Sequence, residues 1–264
     1  MTRKAIVLLI LGLASVAAGV TPSDPSTTQQ GKTAAKPSIM LVHGAFADAS
    51  GWARVITLLE RDGYEVTAVQ NPLTSFAEDV ATTKRLIDAQ KGNVVVVGHS
   101  YGGAVITGAA TGNPKVKALV YVAAFGPDAG EKFGEMLDKF GKSALGPALR
   151  PDAAGFLYID RAQFRDVFAG DVSIGEARVM AATQKPINGA SFGASVDSPA
   201  WKTIPSWYLV ASDDRAIKPE LERFMAKRMG AHTKEIKASH VVFISHPKEV
   251  ATLIDAAAKA TGKP

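Results

Sequence analysis

The chain has 264 residues, 47% hydrophobic and 21% charged, which excludes a disordered chain and fits one or two globular domains. It contains no cysteine, which excludes disulfides, a cysteine nucleophile and a thiolate metal site. The net charge is +5, but the basic residues are scattered among acidic ones. They are not interleaved with the aromatic residues on which the bases of single-stranded nucleic acid stack, so a nucleic-acid partner is not expected.

The chain begins with a short cationic region followed by the apolar run AIVLLILGLASVAAGV, which ends in small residues. This arrangement is typical of a secretory signal, so we expect residues 1–19 to be a signal peptide, cleaved after Ala17 or Gly19. An uncleaved membrane anchor is the alternative, but about 16 apolar residues fall short of the roughly 20 that span a bilayer. Residues 20–38 are rich in Pro, Ser, Thr and Gln and are expected to form a flexible leader. The sequence thus predicts a secreted or periplasmic protein with no stable membrane anchor after signal removal.

Short apolar runs alternate with helical patterns in the rest of the chain. Runs of this kind suit strands that are covered on both faces, as in a parallel sheet. Alternation of strand and helix predicts an α/β fold for residues 39–264, a three-layer sandwich with a mostly parallel sheet of about six strands. The six runs are residues 39–42, 64–69, 94–97, 118–123, 204–211 and 233–236.

The alternation stops between about residues 126 and 200. This stretch is rich in Phe and Met but has no apolar run long enough for another central strand. We expect a mostly helical lid inserted over the carboxyl ends of the strands. A small cap needs its own core, which explains most of its aromatic residues, and some of them are expected to line a pocket.

The strongest chemical signal is the segment GHSYGG, residues 98–103, between the apolar run VVVV and the pattern AVITGAA. It matches the G-x-S-x-G nucleophile elbow in the strand, turn and helix context that this motif requires. The turn would present the Ser100 oxygen at a helix amino end, where free N–H groups favour negative charge. The alternative is a glycine-rich turn with an incidental serine. A phosphate loop is excluded because G-x-x-x-x-G-K-[ST] is absent.

The segment HGAF, residues 43–46, follows the first strand. In enzymes with a nucleophile elbow, one oxyanion donor is the N–H after the nucleophile, here that of Tyr101, and the other comes from this loop. We expect Ala45 to supply the second donor, with Phe46 as the next choice. His43 is expected to be a structural histidine that bonds the loop backbone.

The base and the acid are expected late in the chain. His240 follows the last predicted strand, in a loop at the carboxyl edge of the sheet, where the elbow also emerges, and is the expected general base. Asp213 and Asp214 follow the strand before it. A carboxylate there can orient the imidazole, but periodicity does not choose between the two aspartates.

Residues 39–260 resemble the α/β-hydrolase superfamily, and in detail the compact serine esterases of the plant methylesterase and hydroxynitrile lyase group. The resemblance rests on HGAF, GHSYGG, AAFGPDAGE, DDRAIKPE and SHVVFISHP. It implies that Asp214 is the acid. It also shows two departures: hydroxynitrile lyases of this type carry a threonine at the position of Gly44 and a lysine at that of Val241, so hydrolysis is favoured over cyanide chemistry.

The sequence therefore predicts an exported serine hydrolase that cleaves small or medium carboxylic esters with Ser100, His240 and Asp214, without a metal or organic cofactor. An apolar pocket including Phe46 and Phe125 is expected to hold a small-molecule ester. The same three residues could serve a lactonase, an amidase or a haloperoxidase-like perhydrolase. A ligand-sensing relative and a structural exported domain are the non-enzyme alternatives. No oligomeric state is predicted.

Overall fold

A computed structural model describes residues 36–261. The predicted signal peptide 1–19 and residues 20–35 of the predicted leader lie outside the described residues. Nine strands occur in the described part: β1 Ser38–Val42, β2 Val66–Val69, β3 Val94–Ser100, β4 Val116–Ala124, β5 Leu149–Pro151, β6 Phe156–Ile159, β7 Ile187–Asn188, β8 Ser206–Ala211 and β9 His232–Ile236.

Six of these strands form one parallel sheet in the order β2-β1-β3-β4-β8-β9. They overlap the six predicted apolar runs, so the predicted α/β class and strand number are confirmed. Every residue of β3 is buried, whereas β9 at the sheet edge has no fully buried residue. Because layers of helix cover the central strands on both faces, their sequences are continuously apolar rather than alternating.

Ten α-helices lie in the described part of the chain. α1 packs against α10, α2 against α3, and α8 against β8. No helix within residues 36–261 combines the length and the apolar character needed to cross a bilayer. The bounds are α1 Ala53–Arg61, α2 Phe76–Asp88, α3 Tyr101–Ala109, α4 Phe133–Leu137, α5 Leu145–Ala148, α6 Phe164–Phe168, α7 Ile174–Thr183, α8 Pro219–Arg228, α9 Val242–Ser245 and α10 Pro247–Thr261.

The chain between β4 and β8 forms a cap. It contains α4 to α7, as a mostly helical insertion would, but also an antiparallel sheet of β5, β6 and β7 that the sequence did not predict. These strands have two to four residues each, too few for a periodic pattern. A single parallel bridge between Ala129 and Val196 joins the two ends of the cap.

Candidate active site

The turn between β3 and α3 holds Ser100 in a backbone conformation that side chains rarely adopt, with φ 53° and ψ −126°. Such strain costs about 1 to 3 kcal/mol and persists only where the surroundings enforce it. Glycines make the turn sterically possible. A β-carbon at Gly98 would lie 2.6 Å from the carbonyl oxygen of Gly102, and one at Gly102 would lie 2.5 Å from that of Val42. The turn is a nucleophile elbow in geometry as well as in sequence.

The loop after β1 lies directly against the elbow. A β-carbon at Gly44 would lie 2.6 Å from Cβ and 3.2 Å from Oγ of Ser100. The next residue, Ala45, makes no hydrogen bond through its N–H to any part of the described chain. The N–H of Tyr101 is at the first position of α3, where no intrahelical acceptor exists. Two unpaired N–H groups therefore flank the serine, on the two elements predicted to supply oxyanion donors.

The turn after β8 positions a carboxylate against His240. Oδ1 of Asp214 accepts hydrogen bonds from the N–H groups of Ala216 at 2.7 Å and Ile217 at 2.9 Å, while Oδ2 lies 2.5 Å from Nδ1 of His240. Asp214 is 4% exposed and His240 1%. Asp213 is exposed and makes no contact of this kind. The structure thus brings Asp214, rather than Asp213, to the imidazole.

The other ring nitrogen of His240, Nε2, is buried and has no hydrogen-bond partner among residues 36–261. In this part of the chain, Nε2 of His240 therefore makes no hydrogen bond to Oγ of Ser100. Catalytic hydrogen bonds are often long without substrate and tighten only in the reacting complex. The unpaired Nε2 is the atom that a general base needs.

His99 links the elbow to the loop that carries His240. Its Nε2 donates to the carbonyl oxygen of His240 at 2.9 Å, and the centroids of the two rings are 4.7 Å apart. Burial lowers the pKa of His99 well below its ordinary value, with the neighbouring His240 adding to the effect. His99 is therefore neutral, and β3 and the His240 loop are adjacent.

His43 has the structural role expected from the sequence. Its Nδ1 bonds the carbonyl oxygen of Gly44 at 2.8 Å, and its Nε2 accepts the N–H of Asn71 at 3.0 Å. Because Nε2 accepts, Nδ1 carries the proton. Burial lowers the pKa of His43 to about 4, so the ring is neutral and fixes the shape of the loop that carries Ala45.

The two aromatic residues expected to bind substrate lie in different surroundings. Phe46, with φ 60°, lines a cavity together with Met180 of α7 and Val241. Phe125 is 2% exposed and is not among the residues that line this cavity; its ring centroid is 6.3 Å from that of Phe133. The structure therefore brings Phe46, but not Phe125, to a cavity beside the loops that carry Ala45 and His240.

Two further side chains at the site were not singled out from the sequence, although Phe168 belongs to the aromatic-rich cap. The ring of Phe168 on α6 lies 4.7 Å from that of His240. Glu222 on α8 is completely buried and its Oε2 accepts the N–H of Ala211 at 3.1 Å. Burial first, and then the charge of Asp214, raises the pKa of Glu222 well above its ordinary value. Phe168 meets His240 across a long sequence separation, and Glu222 turns inward from a helix whose other acidic residue is exposed, so local patterns report neither contact.

Within residues 36–261, no group of three or more His, Asp or Glu side chains is arranged to hold a metal ion.

Known proteins resemble the chain along most of its length. It is 28% identical over 241 residues to probable hydrolase R7 of Phoma sp., covering 83% of this chain and 97% of that protein. It is 28% identical over 213 residues to methylesterase 8 of Arabidopsis thaliana, covering 72% and 77%. The crystal structure of polyneuridine aldehyde esterase superposes with a TM-score of 0.74 at 18% identity, covering 84% and 99% of the two chains.

Residues 39–253 match the alpha/beta hydrolase family, and that span includes the elbow, the loop after β1, Asp214 and His240. The chain belongs to the α/β-hydrolase family and is similar to the plant methylesterases within it.

Proposed function

We propose that the protein is a serine hydrolase that cleaves carboxylic esters of small or medium size. The observation that supports this most is the buried pair of His240 and Asp214, with an unpaired Nε2, beside the strained elbow of Ser100. An imidazole with one nitrogen fixed by a carboxylate and the other free is the arrangement that activates a serine hydroxyl. The family and the printed names of its relatives agree with an ester hydrolase.

In the proposed reaction, Nε2 of His240 accepts the hydroxyl proton as Oγ of Ser100 attacks the ester carbonyl carbon. The N–H groups of Ala45 and Tyr101 donate to the oxyanion, each contributing about 3 kcal/mol. The imidazolium then protonates the departing alkoxide and an acyl-enzyme remains. Water then loses a proton to Nε2 as it attacks the acyl carbon. The imidazolium returns that proton to Oγ of Ser100 as the acid leaves, which restores the enzyme. Every proton in this cycle passes through His240.

Two positions favour hydrolysis over cyanide chemistry. The lyases that the sequence resembles carry a threonine at the position of Gly44, but here a β-carbon would lie 2.6 Å from Cβ of Ser100. They carry a lysine at the position of Val241, which is fully buried and apolar in this chain. Neither residue can handle a cyanide ion.

The substrate is proposed to be a small or medium ester with apolar groups. The cavity next to the residues that flank Ala45 and His240 is lined mainly by apolar side chains, including Phe46, Met180 and Phe243, and not by Ser100, Asp214 or His240 themselves. A series of p-nitrophenyl esters from acetate to dodecanoate tests this. We expect the highest kcat/KM at short acyl chains. A maximum at twelve carbons or more would contradict the proposal. Faster turnover of a lactone or an amide, or transfer of the acyl group to hydrogen peroxide instead of water, would redirect it to one of the other reactions expected of these residues.

Ser100→Ala tests the assignment of the nucleophile. Its kcat on p-nitrophenyl acetate is expected to fall by roughly 10⁴- to 10⁶-fold, as in other enzymes of this kind. Ser198→Ala, at an exposed serine of the cap, serves as the matched control and should retain wild-type turnover. Turnover close to wild type in Ser100→Ala would refute the proposal, and saturable ligand binding without any turnover in the wild type would indicate a sensor.

Export is a separate proposal, supported only by the sequence of residues 1–19. When the full chain is expressed in a bacterium with a periplasm, we expect the mature protein in the periplasm or the medium. Its N-terminal sequence should begin at residue 18 or residue 20. A cytoplasmic protein that retains residue 2 would contradict this proposal without affecting the proposed reaction.

A further inference from the structure

The segment of the cap that follows α6 packs directly on the catalytic histidine. The Phe168 ring, which is 1% exposed, lies 4.7 Å from the His240 ring with an interplanar angle of 57°. The turn after it is held by Arg165, whose guanidinium donates to the carbonyl oxygens of Gly170 at 2.9 Å and Val172 at 3.3 Å. This short turn is therefore fixed in shape where it meets the main domain.

Asp171 extends from that turn to the residue that precedes His240. Its Oδ2 accepts the backbone N–H of Ser239 at 2.9 Å, and its Oδ1 accepts the hydroxyl of the same residue. Both carboxylate oxygens of one cap residue thus bind both donors of one residue of the main domain. The side chain of Asp171 is 26% exposed, so these hydrogen bonds are partly shielded from water.

The loop that carries His240 has no regular secondary structure of its own. It lies between β9 and α9, and hydrogen bonds from other segments determine its position. The N–H of Asp213 donates to the carbonyl oxygen of Ala238 at 3.0 Å, and His99 donates to that of His240 at 2.9 Å. Asp213 and His99 belong to the main domain, whereas Asp171, which binds Ser239, belongs to the cap.

We propose that Asp171 is a positioning residue for the catalytic base: the cap holds the backbone at Ser239 and thereby sets the place of the His240 imidazole relative to Ser100. This inference rests on the proposed function. Asp171 does not touch the reacting atoms, and it acts through the geometry of the loop. A displacement of a catalytic group by about 1 Å can reduce turnover by about 100-fold, so two hydrogen bonds that fix this loop have a large effect on kcat.

Four variants test the proposal in the full-length protein. Asp171→Ala removes both acceptors. Asp171→Asn keeps both contacts, because the amide oxygen accepts the N–H of Ser239 while the amide N–H donates to its hydroxyl. Ser239→Ala removes the hydroxyl alone. Glu176→Gln is the matched control: Glu176 is a cap carboxylate that also contacts the main domain, but through Arg54 at 2.9 Å.

The readouts are kcat and KM on p-nitrophenyl acetate. The concentration of active sites is measured by titrating the reactive serine with a fluorophosphonate, and kcat is calculated from that concentration. Misfolded protein therefore does not lower the measured kcat. Asp171→Ala should reduce kcat by roughly 10- to 100-fold with little change in KM. Asp171→Asn should recover most of that loss, Ser239→Ala should be intermediate, and Glu176→Gln should match the wild type. A kcat for Asp171→Ala close to wild type, or an equal loss in the alanine and asparagine variants, would overturn the proposal.

A second readout does not depend on turnover. The proton shared by His240 and Asp214 is expected to give a far-downfield resonance in the proton NMR spectrum of the wild type, and it should broaden or shift in Asp171→Ala but not in Glu176→Gln. An unchanged resonance in Asp171→Ala would overturn the positioning role. If the wild type hydrolyses no ester and its Ser100 is unreactive, the proposed function itself fails. If the wild type is active and Asp171→Ala equals it, only this inference fails.

Discussion

Nδ1 of His240 lies 2.5 Å from Oδ2 of Asp214, and both side chains are buried, with 1% and 0% of their surface exposed. The other oxygen of Asp214 is bound to two backbone N–H groups, so the carboxylate cannot turn away. A carboxylate only accepts hydrogen bonds, so Nδ1 carries the proton and Nε2 has the free electron pair. The turn after β8 thereby sets the tautomer of His240, the proposed base.

Asp214→Asn should abolish most activity without unfolding the protein. The amide oxygen can still accept the N–H groups of Ala216 and Ile217, but the amide N–H then faces Nδ1 and stabilises the wrong tautomer. We expect kcat to fall by about 10⁴-fold, as in other triads. Asp213→Asn, at the exposed neighbour, should change kcat little. Similar losses in both variants would show that the acid has been misassigned.

Gly102→Ala should destabilise the fold strongly. The added β-carbon would lie 2.5 Å from the carbonyl oxygen of Val42 and 2.7 Å from that of His43, and backbone atoms cannot yield as a flexible side chain can. We expect the free energy of unfolding in urea to fall by about 3 kcal/mol or more. Gly175→Ala, on a helix with no atom within 4 Å of the new carbon, should be neutral or stabilising. Equal stability of the two variants would be inconsistent with the elbow geometry.

His43 should make the protein less stable in mild acid. Its pKa is lowered to about 4 by burial, so between pH 6.5 and 4 the unfolded chain binds a proton that the folded chain does not. The free energy of unfolding therefore falls as the pH falls through that window, by about 1.4 kcal/mol per pH unit. Urea unfolding at pH 7 and pH 5 should show a loss for the wild type that is about 2 kcal/mol greater than for His43→Gln. An identical loss in both would contradict a neutral, buried His43.

Met180→Trp should narrow the cavity beside the site. Met180 lines that cavity from α7, and a larger side chain there should exclude bulky esters first. We expect kcat/KM for p-nitrophenyl benzoate to fall roughly tenfold more than that for the acetate. Val179→Trp, on the adjacent residue with 63% of its surface exposed, is the control and should leave the ratio unchanged. An unchanged ratio in Met180→Trp would mean that substrates bind elsewhere.

The central sheet could be predicted from the sequence because its strands are buried on both faces and therefore apolar throughout, as Val94 to Val97 illustrate. The elbow could be predicted because its steric demands require glycine at fixed distances from Ser100. The cap sheet could not be predicted, since β5 has three residues, none of them fully buried, and ends in Pro151.

The partners of the proposed catalytic residues depend mostly on contacts between distant parts of the chain. Asp213 and Asp214 are adjacent and chemically identical, so spacing does not choose between them. The resemblance implies Asp214, and the turn that gives Asp214 two N–H donors supplies the physical reason. Asp171 and Ser239 are separated by 68 residues. Ser239 opens the segment SHVVFISHP, but Asp171 lies in no recognisable motif, so the sequence does not pair them. Phe125 follows β4, which ends at the site, but its side chain packs against Phe133 and does not line the cavity that contains Phe46.

Labelling with a fluorophosphonate, followed by peptide mapping, tests the central claim most directly. This reagent forms a covalent bond only with a serine that a neighbouring base has activated. We expect one modified residue in the folded wild type, Ser100, no labelling in Ser100→Ala and strongly slowed labelling in His240→Ala. Modification at another serine, or none in an enzyme that still hydrolyses esters, would contradict the account.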